Sequence, residues 1–283
     1  MRAPIRLLAP ALLAVVAASA LGCQESGFDE RKETARPLKV QHGLGESKVP
    51  GQAERPLPLT VDSLDNTLAL EARPVAAALP GARPPAYLRA AAHGVELVEP
   101  VTGAADIAPL EALDPDVILG SETGQAAVYD ELSRIAPTVI TQGGGGQWKL
   151  NVRLIGEALG RTNDAERLLI DYDRRVAQVR RAARTADKPR VAVAHVTGAG
   201  LRFAKRDSFA GTILADAGLE QVARDNRADV MLVSAAPGQS VAGIAGRFQP
   251  VDDALWRGPG GTLAARAALA DLRDALLRRA LAD

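Results

Sequence analysis

Asn163 to Thr185 contains neither glycine nor proline, and it lies between two series of short apolar runs. Leu168, Tyr172, Val176, Val179 and Ala183 recur at the spacing of one helix face. Thr162 or Asn163 can cap the start, and Asp164 and Glu166 place negative charge in the first turn. At 1.5 Å per residue the helix is about 30 Å long, and Pro189 stops it. Its arginines, Arg174, Arg175, Arg180, Arg181 and Arg184, lie mostly off the apolar stripe and read as a solvated face. The chain is therefore expected to form two units joined by this helix.

The flanking runs define the units. Leu57 to Val61, Pro74 to Leu79, Val95 to Val98, Asp116 to Leu119 and Thr138 to Ile140 read as buried strands. Leu64 to Glu71, Asp106 to Leu113 and Gln125 to Ala136 read as helices between them, which predicts a parallel sheet covered on its faces. Gly143 to Gly146 lacks a phosphate-loop lysine and reads as a flexible connection. A helix from Trp148 to Leu159 follows, ended by Gly160. After Pro189 come strands at Arg190 to Val196, Leu201 to Ala204, Asp229 to Val233 and Phe248 to Val251. Helices are expected over Ser208 to Ala217 and Thr262 to Leu281.

Ahead of these units, Arg2 and Arg6 precede an apolar run from Leu7 to Ala18, and Ala20-Leu21-Gly22-Cys23 follows. The segment resembles a lipobox, which implies a signal peptide over residues 1–22 and acylation of Cys23. Residues 24–56 are polar, with scattered glycine and proline, and read as a disordered tether. A chain with one cysteine has no internal disulfide, so its core must hold it. Hydrophobic residues make up 47% of the chain but aromatics only 3%, so that core is Ala, Leu and Val. The 34 basic and 34 acidic residues cancel, which gives no global pull towards nucleic acid.

From residue 57 onward the motifs resemble one family. They are Leu110-Glu111-Ala112-Leu113-Asp114-Pro115-Asp116-Val117-Ile118-Leu119, the segment Tyr129 to Val139, and Trp148 followed by Gly156-Glu157-Ala158-Leu159-Gly160-Arg161. Arg202 with Asp207-Ser208-Phe209, Ile213 to Gly218, and Trp256 with Ala264-Ala265-Arg266 complete the set. In their order these resemble the periplasmic-binding-protein family that serves ABC importers of ferric siderophores, haem and cobalamin. Within it they are similar to actinobacterial ferric-dicitrate-binding-like lipoproteins. The resemblance implies an α/β fold of two Rossmann-like lobes joined by one long helix, with the second lobe abbreviated between Gly218 and Asp229. The implied boundaries are a signal peptide at 1–22, a lipid-anchored tether at 23–56 and a first lobe at 57–145. A helical connection at 146–188 and a second lobe at 189–283 follow. The family's docking acid on the first lobe has only Asp106 or Glu111 near its place.

A ferric siderophore arrives with its iron already coordinated, so its receptor needs cations and aromatic faces rather than metal ligands. Such clefts lie at the carboxyl ends of strands. By that rule Tyr87, Arg83 and Arg89 are the first-lobe ligand candidates, Trp148 follows the glycine run, and Arg202 and Trp256 come from the second lobe. His42, His93 and His195 show no metal-ligand spacing, so neither a resident metal nor a cofactor is expected. His195 remains open as an axial haem ligand. No nucleophile–base arrangement is recognisable, so an enzyme is not expected. The expected partners are a ferric chelate, an ABC permease and, through Cys23, the cell membrane, with the receptor itself a monomer outside the cytoplasm. The other reading is an envelope interaction module that keeps the fold without transport.

Overall fold

A computed structural model describes residues 36–185, 189–223, 227–242, 244 and 248–281, and it opens on a hairpin. Strand β1 (Leu38–His42) pairs antiparallel with β2 (Gly45–Val49). This corrects the expected tether over 36–56; its first part, 23–35, lies outside the described residues. Val40, Ser47 and Val49 are buried between exposed neighbours, so one face of the hairpin seals onto the first lobe. The Ser47 hydroxyl donates to the Thr138 carbonyl at 2.7 Å. Cys23 and the expected signal peptide lie outside the described residues.

In the first lobe β3 (Pro56–Pro58), β6 (Val117–Ser121) and β7 (Thr138–Thr141) form a parallel sheet in the order β3-β6-β7. Strands β4 (Ala77–Ala78) and β5 (Leu97–Val98) form a short parallel pair. Helices α1 (Val61–Ala69), α2 (Ala108–Glu111), α3 (Glu122–Gln125) and α4 (Tyr129–Ile135) alternate with them. Thr60 and Ser63 cap α1 reciprocally, which fixes its start at the end of β3. Leu57, Ile118, Leu132 and Leu110 fill the core. All residues of β6 and β7 are buried, as expected of parallel strands covered on both faces.

The second lobe has one four-stranded sheet. It comprises β8 (Val191–Thr197), β9 (Gly200–Phe203), β10 (Val230–Ala235) and β11 (Gln249–Pro250), in the order β11-β10-β8-β9. Strand β9 runs antiparallel to β8. Only Gly198 and Ala199 separate them, too few for a parallel crossover. Helices α7 (Phe209–Asp216) and α8 (Asp253–Arg257) belong to this lobe.

Between the lobes run α5 (Trp148–Ala158) and α6 (Thr162–Thr185). Helix α6 is unbroken over 24 residues and buries Leu169, Tyr172, Val176, Val179 and Ala183. The last helix, α9 (Thr262–Ala280), packs along α6 and also reaches α1 and the turn at Ala86–Leu88. Two long helices therefore tie the lobes, rather than the one expected.

The first lobe also caps α9. At the N-cap position of α9 stands Gly261, which has no side chain to offer. Asp65 of α1 accepts the backbone N–H groups of Leu263 at 2.7 Å and Ala264 at 2.9 Å. The Asn66 carbonyl accepts both the N–H and the hydroxyl of Thr262 at 3.0 Å. Helix starts leave such N–H groups without partners, and here another part of the chain supplies the acceptors. A Cβ on Gly261 would collide with Asp65, so glycine is required for the close approach.

The glycine run is a second seam. A Cβ on Gly146 would lie 2.6 Å from the Asp207 carbonyl oxygen, and one on Gly145 would lie 2.7 Å from Phe209. The expected flexible connection is thus a close-packed contact between lobes. Composition alone does not distinguish a glycine that moves from one that lets two backbones touch.

Asn66→Ala should remove the acceptor of two buried donors. We expect a loss of about 2 kcal/mol in urea unfolding with helix content unchanged. A loss below about 0.5 kcal/mol would mean that the cap does not hold the lobes.

Candidate ligand-binding site

Polar groups gather at the carboxyl ends of the strands in both lobes. In the first lobe these are Thr60, Ser121 and Thr141, with Asp62 buried beside them. Burial raises the Asp62 carboxyl above its ordinary range against the hydrogen bonds of Thr60 and Thr141.

The second lobe carries the more developed arrangement. Arg202 of β9, His195 of β8 and Ser234 of β10 stand opposite one another in the sheet register and form a row across three strands. Ser234 donates its hydroxyl to Asp253 Oδ1 at 2.7 Å. Its remaining capacity is as an acceptor, so the 2.6 Å contact with His195 Nδ1 assigns the imidazole proton to Nδ1. Asp253 Oδ2 in turn accepts from Arg257 Nε at 3.0 Å and lies 2.9 Å from Arg257 Nη2. Asp252 caps α8 by accepting the N–H of Leu255. The result is a chain, His195–Ser234–Asp253–Arg257, that is closed at the histidine end and half exposed at the arginine. Burial pulls the His195 pKa below its ordinary value, outweighing the attraction of Asp253.

The six ligand candidates fare differently. Arg202 sits at the end of this row and is exposed. Arg83 and Arg89 are exposed on the segment after β4, with no ion pair among the described residues. Tyr87 is half buried and its hydroxyl bonds to Asp65, so it belongs to the cap of α9. Burial and Asp65 push its pKa well up, so it stays a phenol. Trp148 and Trp256 are corrected outright, because each is only 1% exposed. Trp148 packs edge-on against Tyr172 at 4.8 Å and Phe209 at 6.0 Å, at the hub where α5, α6 and α7 meet. Trp256 donates to Asp271 at 2.9 Å and pins α8 to α9. Neither indole face is open to a ligand. Asp106, a candidate docking acid, is occupied by Thr102 and Gly103 N–H groups, while Glu111 is exposed.

Sequence reasoning placed neither Ser234 nor Asp253 at the site. The Asp253–Arg257 spacing on a helix capped by Asp252 was a readable signal. The pairing of Ser234 with His195 depends on strand register across 39 residues and was not readable.

Two α/β lobes tied by long helices, each with polar groups at the carboxyl ends of its strands, define a two-lobed α/β fold. The family model described as periplasmic binding protein matches residues 100–236 of this chain. It is 29% identical over 224 residues to the "Probable siderophore-binding lipoprotein YfiY" of Bacillus subtilis, covering 78% of this chain and 69% of that protein. Its fold resembles Staphylococcus aureus SirA complexed with staphyloferrin B, with a TM-score of 0.71 and 22% identity over 85% of this chain and 98% of that one. It also resembles a periplasmic solute binding protein from Mycobacterium smegmatis, with a TM-score of 0.72 and 20% identity over 86% and 99% of the two chains.

The His195 shift has a definite sign. The unfolded chain, with an ordinary imidazole near 6.5, binds more protons than the folded one below that value. The stability from neutral His195 is full above about pH 6.5 and is lost as pH falls. We expect melting curves from pH 8 to 5 to fall less steeply for His195→Asn than for the parent. Equal slopes would contradict the buried neutral imidazole.

Proposed function

We propose that this protein is the extracytoplasmic receptor of a ferric-siderophore ABC importer, held at the cell membrane by lipid on Cys23. The observation that carries the reading is the similarity to YfiY over 78% of the chain, supported by the polar row at the second-lobe strand ends. The chelate is captured between the strand ends of the two lobes, with Arg202 of the second facing Arg83 and Arg89 of the first. The folded body acts as a monomer. Two spanning helices and a buried cap allow only a small rotation of the lobes on binding. The loaded receptor then docks to the permease.

Haem is disfavoured, because His195 is 7% exposed and committed to Ser234. Catalysis is disfavoured as well. His195, Ser234 and Asp253 are the residue types of a hydrolytic triad, but here the serine lies in the middle and donates its proton to the aspartate. A nucleophilic serine must instead donate to the histidine.

The test is titration of purified protein with catecholate, hydroxamate and carboxylate ferric chelates and with haem. The two tryptophans are the emitters, and they report a coloured chelate by energy transfer even though both are buried. We expect saturable quenching by at least one ferric chelate at micromolar concentration or below, roughly −8 kcal/mol or better. Binding of none would favour the envelope-module reading. Cys23→Ser should shift the protein from the membrane to the soluble fraction. A variant that stays bound to membranes would remove the lipid anchor.

A further inference from the structure

We infer that the exposed face shared by α6 and α9 is a docking surface for an anionic lipid bilayer, on which the folded body lies beside its own anchor. The inference rests on the lipid anchor proposed above for bringing the body to a membrane. It adds a partner surface that an anchor alone does not require.

Two helix stripes build the face. From Arg174 to Thr185, α6 carries five arginines and no acid. Ile170, Arg174, Arg181 and Arg184 recur at helical spacing, and all are exposed. On α9, Arg266, Arg273, Leu277 and Leu281 recur in the same way and are exposed too. The stripes adjoin, because Arg175 and Gln178 of α6 line one shallow groove with Arg266 and Arg273 of α9. Arg174, Arg181, Arg184 and Arg266 have no ion pair among the described residues. Asp171 and Asp274 are taken up by Arg175 at 2.8 Å and Arg273 at 3.1 Å, and Asp173 is exposed beside Arg174.

Charge alone would suit any polyanion, and the apolar groups on the same face narrow the partner. Ile170 is 51% exposed, Leu277 43% and Leu281 88%. Arginines beside exposed aliphatic side chains on a helix suit the boundary between lipid headgroups and acyl chains. There the cations meet phosphate and the aliphatic groups leave water.

The path of the chain agrees. Leu38 at the start of the hairpin pairs with Val49, and a Cβ on Gly160, at the turn into α6, would collide with the Gly51 carbonyl. The described chain therefore begins beside the start of α6. Cys23 precedes Arg36 by thirteen residues, a reach of at most about 45 Å. Helix α6, with 24 residues, is about 36 Å long. A bilayer that holds Cys23 is within reach of the whole face. At its other end α9 meets the amino edge of the second-lobe sheet, where Arg279 donates to the Asp229 carbonyl just before β10. Leu277 and Leu281 thus lie away from the carboxyl ends of those strands, which docking leaves open.

The test uses the full chain carrying Cys23→Ser, so that no acyl group anchors it. Its binding is measured by sedimentation at low salt with vesicles of phosphatidylcholine and with vesicles of mixed phosphatidylcholine and phosphatidylglycerol. The protein should bind the anionic vesicles at least about tenfold more tightly, and added salt should release it. The neutral vesicles also read any charge-independent insertion of the apolar run Leu7 to Ala18. Arg181→Gln with Arg184→Gln should weaken binding to anionic vesicles by about tenfold or more. Leu277→Ser should weaken it by about threefold or more, and it serves as the second variant if the arginine pair does not fold. Arg73→Gln with Arg134→Gln removes two exposed cations of the first lobe and should change binding by less than about threefold. Equal binding to both kinds of vesicle, or an equal loss for the two arginine pairs, overturns the inference. So does binding to soluble polyphosphate without binding to vesicles, or self-association that Arg181→Gln with Arg184→Gln abolishes. Each of these results leaves the anchor and the receptor reading standing, because fractionation of the parent and chelate titration judge those separately.

Discussion

The structure depends on the way α1 of the first lobe closes the start of α9. A helix of 19 residues begins at a glycine, and its first three N–H groups find their acceptors in Asp65 and Asn66, nearly two hundred residues earlier in the chain. The positive end of the helix and the carboxylate favour each other. Complete burial works against the charge and pushes the Asp65 pKa up to about 7. The Tyr87 hydroxyl and the backbone N–H groups offset part of that cost. Since α9 also lies along α6, this contact and the seam at Gly145 and Gly146 together tie the two lobes and limit any hinge between them.

Around the cap, the scarcity of aromatic side chains becomes intelligible. Trp148, Tyr172 and Phe209 meet where α5, α6 and α7 converge, and Phe209 lies against Gly145 and Gly260. A core of Ala, Val and Leu leaves irregular gaps at a three-helix junction, and large flat rings fill them against bare glycine backbone. Lys149 completes the group, paired with Asp216 at 2.6 Å and lying over the Tyr172 ring. The aromatics hold the lobes together.

Elements with strong periodicity were legible from the sequence alone. The long helix was read as one continuous element, and the runs at Asp116 to Leu119 and Arg190 to Val196 are inner strands. The hairpin at Leu38–Val49 was missed because its alternation is carried by only Val40, Ser47 and Val49 among charged residues. The site was less legible. Motif order singles out Arg202, which the fold sets opposite His195, but scarcity of tryptophan suggested ligand contact where burial shows packing. Asp65 and Asn66 look like ordinary polar positions on an amphipathic helix, and only the fold brings α9 to them. Long-range hydrogen bonds leave no periodic trace in a sequence.

The most direct measurement is native-state hydrogen exchange at the backbone N–H groups of Thr262, Leu263 and Ala264. If the cap ties the lobes, these three should exchange as slowly as Val193 and Leu232 in the second-lobe sheet, opening only with global unfolding. Exchange at the rate of a frayed helix end, while the sheet stays protected, would show the lobes separating in the native state and contradict this account.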